Sequence, residues 1–211
     1  MLGLPKSTEF GKRIPKQKFY ENLSITPALK RVFVEHISQI VWLNKIATTT
    51  VNIAAGEKVE EIEVFLINLT KPFSDDKVMR QIDKEIPYHI LFLLEHGGKY
   101  QAWIGYKEAS SGDNAFKVSH YYHTEWLDED ALSLKMQGMT LDAVWDNFLL
   151  QISGIEKAQD KTVDEQVAIE RQQKKVDAQI AKLEAMARKE KQPKKKFELV
   201  QKINELKKWT I

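Results

Sequence analysis

Two adjacent glycines, Gly97 and Gly98, separate two strongly apolar segments, and this arrangement constrains the fold more than any other feature of the sequence. The segments before and after them, "YHILFLLEH" and "KYQAWIGYK", have the length and composition of β-strands. Glycine suits both central positions of a two-residue turn, where positive φ angles are required. The sequence therefore predicts an antiparallel strand pair. The continuous run "ILFLL" predicts that the first of these strands lies inside a sheet whose two faces are both covered.

Three further segments are rich in β-branched and aromatic residues, which favours strands: "QIVWLNKI", "EEIEVFLINL" and "KVSHYYHTEW". Helix signals alternate with them. Thr26 followed by Pro27 predicts an N-cap and a first helical residue, and Ser74 and Thr140 are predicted to cap two more helices. The predicted fold class is α+β, with a mixed or mainly antiparallel sheet of about five strands and flanking helices.

The residues after Ile155 follow a helical repeat. Apolar side chains recur at heptad spacing in the first part and at spacings of four and three in the second: Ile169, Val176, Ile180, Leu183 and Ala187, then Leu199, Ile203 and Leu206. Pro193 cannot continue a helix, so the chain is predicted to break there. We expect two domains, an α+β domain over 1–155 and an antiparallel helical hairpin, a coiled-coil arm, over 156–211. Because the second stripe is shorter, part of the first is predicted to pack on the α+β domain or on another protomer, which makes the arm a possible contact in a homo-oligomer.

Charge is distributed unevenly between these two parts. Residues 156–211 contain 15 Lys or Arg and 10 Asp or Glu, whereas residues 1–155 contain 17 and 20. The stretch "RKEKQPKKK" at the predicted tip of the hairpin has six positive charges and one negative charge. Two interpretations are open: a solvated turn, or a contact for the phosphates of a polyanion such as DNA. The candidate binding residues here are Lys189, Lys191, Lys194, Lys195 and Lys196.

The N-terminal 25 residues have no clear periodicity and are predicted to form an irregular basic arm. Three residues of this arm, Lys12, Arg13 and Lys16, are further candidates for binding nucleic acid or a protein partner.

Motifs that carry chemistry are missing from the sequence. There is no cysteine, no phosphate-binding glycine loop and no G-x-S-x-G element. We therefore expect no catalytic residue, no cofactor and no metal site. Nor does the chain contain the ~18 uninterrupted apolar residues that a membrane-spanning helix needs, so we expect a cytoplasmic protein without membrane contact.

Several phrases, within residues 12–126, resemble a bacterial family of uncharacterised proteins that share a domain of unknown function: "KRIPKQKFYE", "TPALKRVFVEHISQIVWLNKIA", "VNIAAGEKVEEIEVFLINL", "IDKEIPYHILFLLE" and "HTEW". Members are encoded beside type III restriction–modification methyltransferases and helicases, in clusters of defence against phage. The resemblance implies an accessory role in such a system, with protein partners from it. This chain has Leu66 where the family often has an acidic residue.

Two functions from different classes follow. The first is a non-catalytic adaptor that contacts partner proteins, and possibly DNA, through its basic tail. The alternative is a divergent metal-dependent nuclease that would use the carboxylates of Glu61, Glu63 and Glu125. Neither the strands nor their turns contain the (D/E)-x-K triplet of restriction nucleases, so the adaptor is the preferred hypothesis.

Overall fold

The computed structural model describes residues 2–21, 25–72, 75–109, 116–156 and 160–208. The chain divides into two compact units, Met1–Gly154 and Ile155–Ile211. The first unit contains seven described strands: β1 (Glu9–Ile14), β2 (Ile37–Ala47), β3 (Glu61–Leu69), β4 (His89–His96), β5 (Lys99–Ala109), β6 (Phe116–His123) and β7 (Leu127–Asp128). Its described α-helices are α1 (Pro27–Glu35), α2 (Lys77–Glu85) and α3 (Leu141–Ser153). The predicted α+β class is confirmed.

The strands form one mixed sheet in the order β1-β2-β3-β4-β5-β6, with the short β7 paired to β5. Neighbouring strands are antiparallel except β3 and β4, which are parallel and are connected through α2. β4 lies between β3 and β5, and its residues His89–Leu94 are buried, as the run "ILFLL" predicted. Gly97 and Gly98 form the turn from β4 to β5 with φ angles of 59° and 79°, so the predicted hairpin is confirmed.

The sheet has two strands, β1 and β7, that the sequence analysis did not recognise beside the predicted five or so. β1 lies within the N-terminal segment that was expected to be irregular. It is an edge strand, and most of its residues are exposed, so its sequence "EFGKRI" lacks the apolar alternation of a half-buried strand. Gly11 has a φ of +62° where the register with β2 shifts between Glu9 and Lys12, which further disguises the pattern.

The two faces of the sheet are covered by different helices. Phe33 of α1 and Val78 and Ile82 of α2 are fully buried in a core that includes Phe65 of β3 and Phe92 of β4. The opposite face packs on α3, where the ring of His89 contacts Trp145 edge-on at 4.8 Å. Side chains that alternate along β3 and β4 therefore enter one core or the other, and most of the buried residues are apolar.

The helix starts follow the capping signals in two of three cases. The side chains of Thr26 and Thr140 accept the N–H groups of Leu29 and Ala143 at the starts of α1 and α3. The predicted cap Ser74 lies outside the described residues, and α2 begins at Lys77 after Asp76.

The second unit is a helical hairpin made of α4 (Val163–Lys189) and α5 (Pro193–Lys208), which confirms the prediction for the tail. Thr162 and Glu165 form a capping box at the start of α4. α4 ends at Lys189 and Pro193 is the first residue of α5, so the helical segment breaks before Pro193, as expected. The two helices pack through the predicted stripes: Ile180, Ala187 and Ile203 are buried, with Val176, Leu183, Leu199 and Leu206 around them.

Among the described residues, no helix combines the length and the apolar character needed to cross a membrane.

Candidate functional site

The turn between α4 and α5 gathers the basic residues that the sequence analysis identified. We refer to residues 188–196 as the hairpin tip. Lys189 is the last residue of α4, Lys191 lies in the turn, and Lys194, Lys195 and Lys196 lie in the first turn of α5. All five lysines are exposed, and none of them is in an ion pair within the part of the chain that the structure describes. The candidates are thus brought together, whereas whether they bind anything stays a prediction.

The positive charge of the hairpin tip is poorly balanced by its surroundings. The one acidic residue in the tip, Glu190, already accepts the backbone N–H of Gln192 at 2.8 Å. Arg188 lies 3.9 Å from Glu184, at the limit of an ion pair, while Glu184 binds Lys207 more closely at 2.9 Å. Three lysines at the start of α5 also lie at the positive end of the helix dipole, an unfavourable place for cations. A bound anion at the tip would neutralise the uncompensated lysine charge and would also interact favourably with the positive end of the α5 dipole.

A groove beside the hairpin tip runs between α4 and α5 and has a volume of about 410 Å³. We call it the hairpin groove. Its apolar lining comes from Ala187, Val200 and Ile203, and its cations are Arg188, Lys196 and Lys207. The groove therefore combines an apolar surface with a positively charged rim, and Lys196 belongs to both the rim and the tip.

The basic residues of the N-terminal unit have different surroundings. Lys12 and Arg13 are exposed on the edge strand β1, and the ammonium of Lys12 lies 4.4 Å from the ring centre of Phe10. Lys16 instead donates hydrogen bonds to the carbonyls of Val34 at 3.0 Å and Ile37 at 2.5 Å. Burial lowers the pKa of Lys16. Lys16 thus has a structural role, fixing the end of α1, that its place in a basic cluster did not indicate.

The sheet contains a buried carboxyl pair, Glu61 and Glu63, on the face covered by α1 and α2. Glu63 is 1% exposed. Burial, together with the hydrogen bond and negative charge of Glu61, raises the pKa of Glu63 to about 9. Burial would also raise the pKa of Glu61, but hydrogen bonds from Glu63 and Lys45 lower it below the usual value. The ammonium nitrogen of Lys45 lies 2.6 Å from a carboxylate oxygen of Glu61. The pair therefore contains one proton and one negative charge at neutral pH, and Lys45 balances that charge.

A second buried ionic group lies on the same face. Lys107 of β5 and Asp83 of α2 are 3.0 Å apart, and their side chains are only 5% and 3% exposed. Tyr121 of β6 donates its hydroxyl hydrogen to Asp83, and Lys107 also donates to the carbonyl of Tyr88 at 2.8 Å. Burial raises the pKa of Asp83, and the charge of Lys107 opposes that change. The sequence analysis missed this group. The one available signal was a lysine in the apolar strand "QAWIGYK".

Glu125 is separated from the carboxyl pair. Glu63 of β3 lies beside Ile90 of β4. Thr124, the residue before Glu125, donates its backbone N–H to the carbonyl of Ala102 on β5, and Ala102 lies beside Leu93 of β4. Three residues along a strand correspond to about 10 Å. The structure thus brings together two of the three carboxylates of the nuclease hypothesis. Among the described residues, no three His, Cys, Asp or Glu side chains are arranged to hold a metal ion.

Comparison with known proteins gives one result. A family model described as a domain of unknown function, DUF4391, matches residues 2–209. The chain belongs to this family. The match covers both units of the DUF4391 chain, so the helical hairpin is part of the family domain along with the sheet. No curated protein and no solved structure matches the DUF4391 chain.

Proposed function

We propose that this DUF4391 chain is a non-catalytic accessory protein of a bacterial DNA restriction or phage-defence system, and that it contacts nucleic acid through its hairpin tip. The observation that carries the proposal is the cluster of five exposed lysines at the tip, none of which has an ion-pair partner among the residues that the structure describes. Lysines in such a cluster bind phosphates mainly by charge, so the contact would not depend on base sequence.

The hairpin itself supports this role. It has a core of its own, so the tip lysines are attached to two packed helices rather than to an unstructured tail. Fixing the cations in advance lowers the entropy cost of binding. The resemblance described above supports the setting, since it implies partners from a DNA methyltransferase and helicase system. Co-purification of such a partner from the native gene cluster would test that setting.

Salt-dependent binding tests the contact with nucleic acid. The tip variant changes Lys189, Lys191, Lys194, Lys195 and Lys196 to Gln. A matched control removes five exposed lysines elsewhere in the same unit: Lys161, Lys175, Lys182, Lys202 and Lys208. Both variants have the same net charge, so they separate a local contact from a general effect of charge.

We expect the tip variant to lose most of its affinity for a 12-nucleotide single strand and for the matching duplex. For the single strand, the magnitude of the slope of log K against log salt should fall by about 3.5, because five phosphate contacts of about 0.7 each are lost. The control should keep most of the affinity. Equal affinities and slopes in the wild type and the tip variant would contradict the proposal.

Metal-dependent cleavage of nucleic acid is the alternative, favoured by the close approach of Lys45, Glu61 and Glu63. We rank it second because Glu63 is buried and keeps its proton at neutral pH, whereas a carboxylate must lose its proton to bind Mg²⁺. Magnesium-dependent cleavage of plasmid or single-stranded DNA that is lost in Glu63→Ala and Glu125→Ala variants would reverse this ranking.

A further inference from the structure

Phe197 is the residue that directly follows the lysines of the hairpin tip, and its side chain is 62% exposed. A large aromatic ring in this position leaves apolar surface in contact with water, and a bound group that covers the ring would remove that cost. Val200, three residues further along α5, is 40% exposed and also lines the hairpin groove. Residues three apart lie on the same side of a helix, so Phe197 and Val200 form an apolar strip that leads from the tip to the groove.

We propose that the hairpin tip binds single-stranded nucleic acid in preference to duplex, with one base stacked on Phe197 and the adjoining phosphates on Lys194 and Lys196. This inference rests on the proposed function and adds to it the form of nucleic acid that is bound. Aromatic rings set among cations are the usual means by which proteins bind single strands without sequence preference.

Two features favour a single strand as the occupant. In a duplex the faces of the bases are already stacked on each other, so Phe197 could reach one only if a base pair were opened. A single strand presents these faces at little cost. The groove also has a volume within the range of small-molecule sites, and its rim has cations for a backbone that continues past Phe197.

The charges of the groove favour an anionic occupant over an apolar helix from a protein partner. Arg188, Lys196 and Lys207 line it, and the one carboxylate there, Glu184, is already bound to Lys207 at 2.9 Å. An apolar helix would bury Lys196 without a partner and Arg188 with only a distant one, which is costly. Phosphates would pair with them instead.

The experiment compares Phe197→Leu, Phe197→Tyr and the wild-type chain on a fluorescent 12-nucleotide oligothymidine and on a duplex of the same length. Leucine keeps an apolar side chain and high helix propensity but removes the ring, whereas tyrosine keeps the ring. Since Phe197 is largely exposed, we expect all three chains to fold alike, and circular dichroism checks this.

We expect Phe197→Leu to weaken single-strand binding by about 5- to 100-fold, the effect of losing one stacked base, and to leave duplex affinity and both salt slopes unchanged. Phe197→Tyr should bind the single strand like the wild type. Unchanged single-strand affinity in Phe197→Leu would overturn the inference, as would an equal loss on the duplex.

The tip variant separates this outcome from failure of the proposed function. If the lysine changes weaken binding but Phe197→Leu does not, the nucleic-acid contact stands and base stacking is wrong. If neither changes binding, both proposals are wrong. Binding of an acidic amphipathic peptide that depends on Phe197, with no such dependence for oligothymidine, would assign the strip to a protein partner and also overturn the inference.

Discussion

The carboxyl groups of Glu61 and Glu63 are joined by a hydrogen bond on one face of β3, although both are acceptors when ionised. The bond therefore requires a proton, and the buried position of Glu63 makes it the group that keeps this proton. Among the described residues, Oε1 of Glu61 and Oε2 of Glu63 are buried and receive no hydrogen bond from any other group, which agrees with a proton held between the two carboxyls. The protonation of Glu61 and Glu63 should therefore affect how the free energy of unfolding depends on pH.

Glu63→Gln should remove part of that pH dependence. The pKa of Glu63 is raised to about 9 in the folded chain, so the folded state holds a proton that the unfolded chain has released above pH ~4.3. The stabilisation from Glu63 is thus present below that value and is lost progressively as the pH rises toward 9. The free energy of unfolding of the wild type should fall by a few kcal/mol relative to that of the variant between pH 5 and 9. Urea unfolding across this range measures it.

The control is Glu60→Gln, which changes an exposed neighbour in the chain. Its pH profile should follow the wild type. If Glu63→Gln also followed the wild type, the carboxyl pair would not hold a proton in the way described.

Lys107→Met should destabilise the fold strongly. It would leave the buried carboxylate of Asp83 without its cation, and breaking a buried ion pair in this way costs about 3–5 kcal/mol. The matched control is Lys99→Met on the same strand. The pair between Lys99 and Asp128 is largely exposed and should contribute less than about 1 kcal/mol. Equal unfolding midpoints for the two variants would show that the buried pair has no special role.

Substitutions at Gly97 and Gly98 should destabilise the turn through the backbone conformation they disfavour, not through the volume of the new side chain. A Cβ atom at either position would meet no atom within 4 Å, but both φ angles are positive. Replacing both glycines by valine should cost about 1–3 kcal/mol, because β-branched residues resist positive φ. Gly97→Asn should cost much less, because Asn-Gly suits this turn. Thermal unfolding compares the three chains, and an unchanged melting temperature in the valine variant would contradict the assignment.

A chain that ends at Ile155 should fold cooperatively on its own. The sheet and its three helices bury the large apolar cluster of the first unit, and the hairpin has a separate core. Four of the five tryptophans lie before Ile155, so near-ultraviolet circular dichroism reports on their packing. We expect a spectrum with fixed aromatic signals. A spectrum without them would mean that the first unit depends on the hairpin.

The sequence predicted those features whose causes are local. The Gly97-Gly98 turn, the threonine caps and the helix break at Pro193 each depend on a few adjacent residues. The hairpin tip was predictable for the same reason. The exposed ring of Phe197 beside the groove was not, because its exposure depends on how α4 and α5 pack.

Features that depend on distant residues were missed. The carboxylate of Asp142 accepts the N–H groups of Glu57, Lys58 and Val59, more than eighty positions earlier in the chain. The contact between Asp83 and Lys107 is similar, since a helix and a strand supply one partner each. From the sequence alone, such residues cannot be distinguished from charged residues on the protein surface. β1 was missed because an exposed edge strand has little apolar alternation.

The parallel pairing of β3 with β4 has a consequence for the order in which the chain folds. It divides the sheet into two antiparallel groups, β1 to β3 and β4 to β6 with the short β7 beside β5. The β4–β5 hairpin closes a loop of two residues, whereas β3 and β4 can pair only after the longer segment containing α2 has crossed between them. Closing a longer loop costs more entropy and delays the contact. We therefore expect the two halves of the sheet to form first, and their joining at β3 and β4 to set the folding rate.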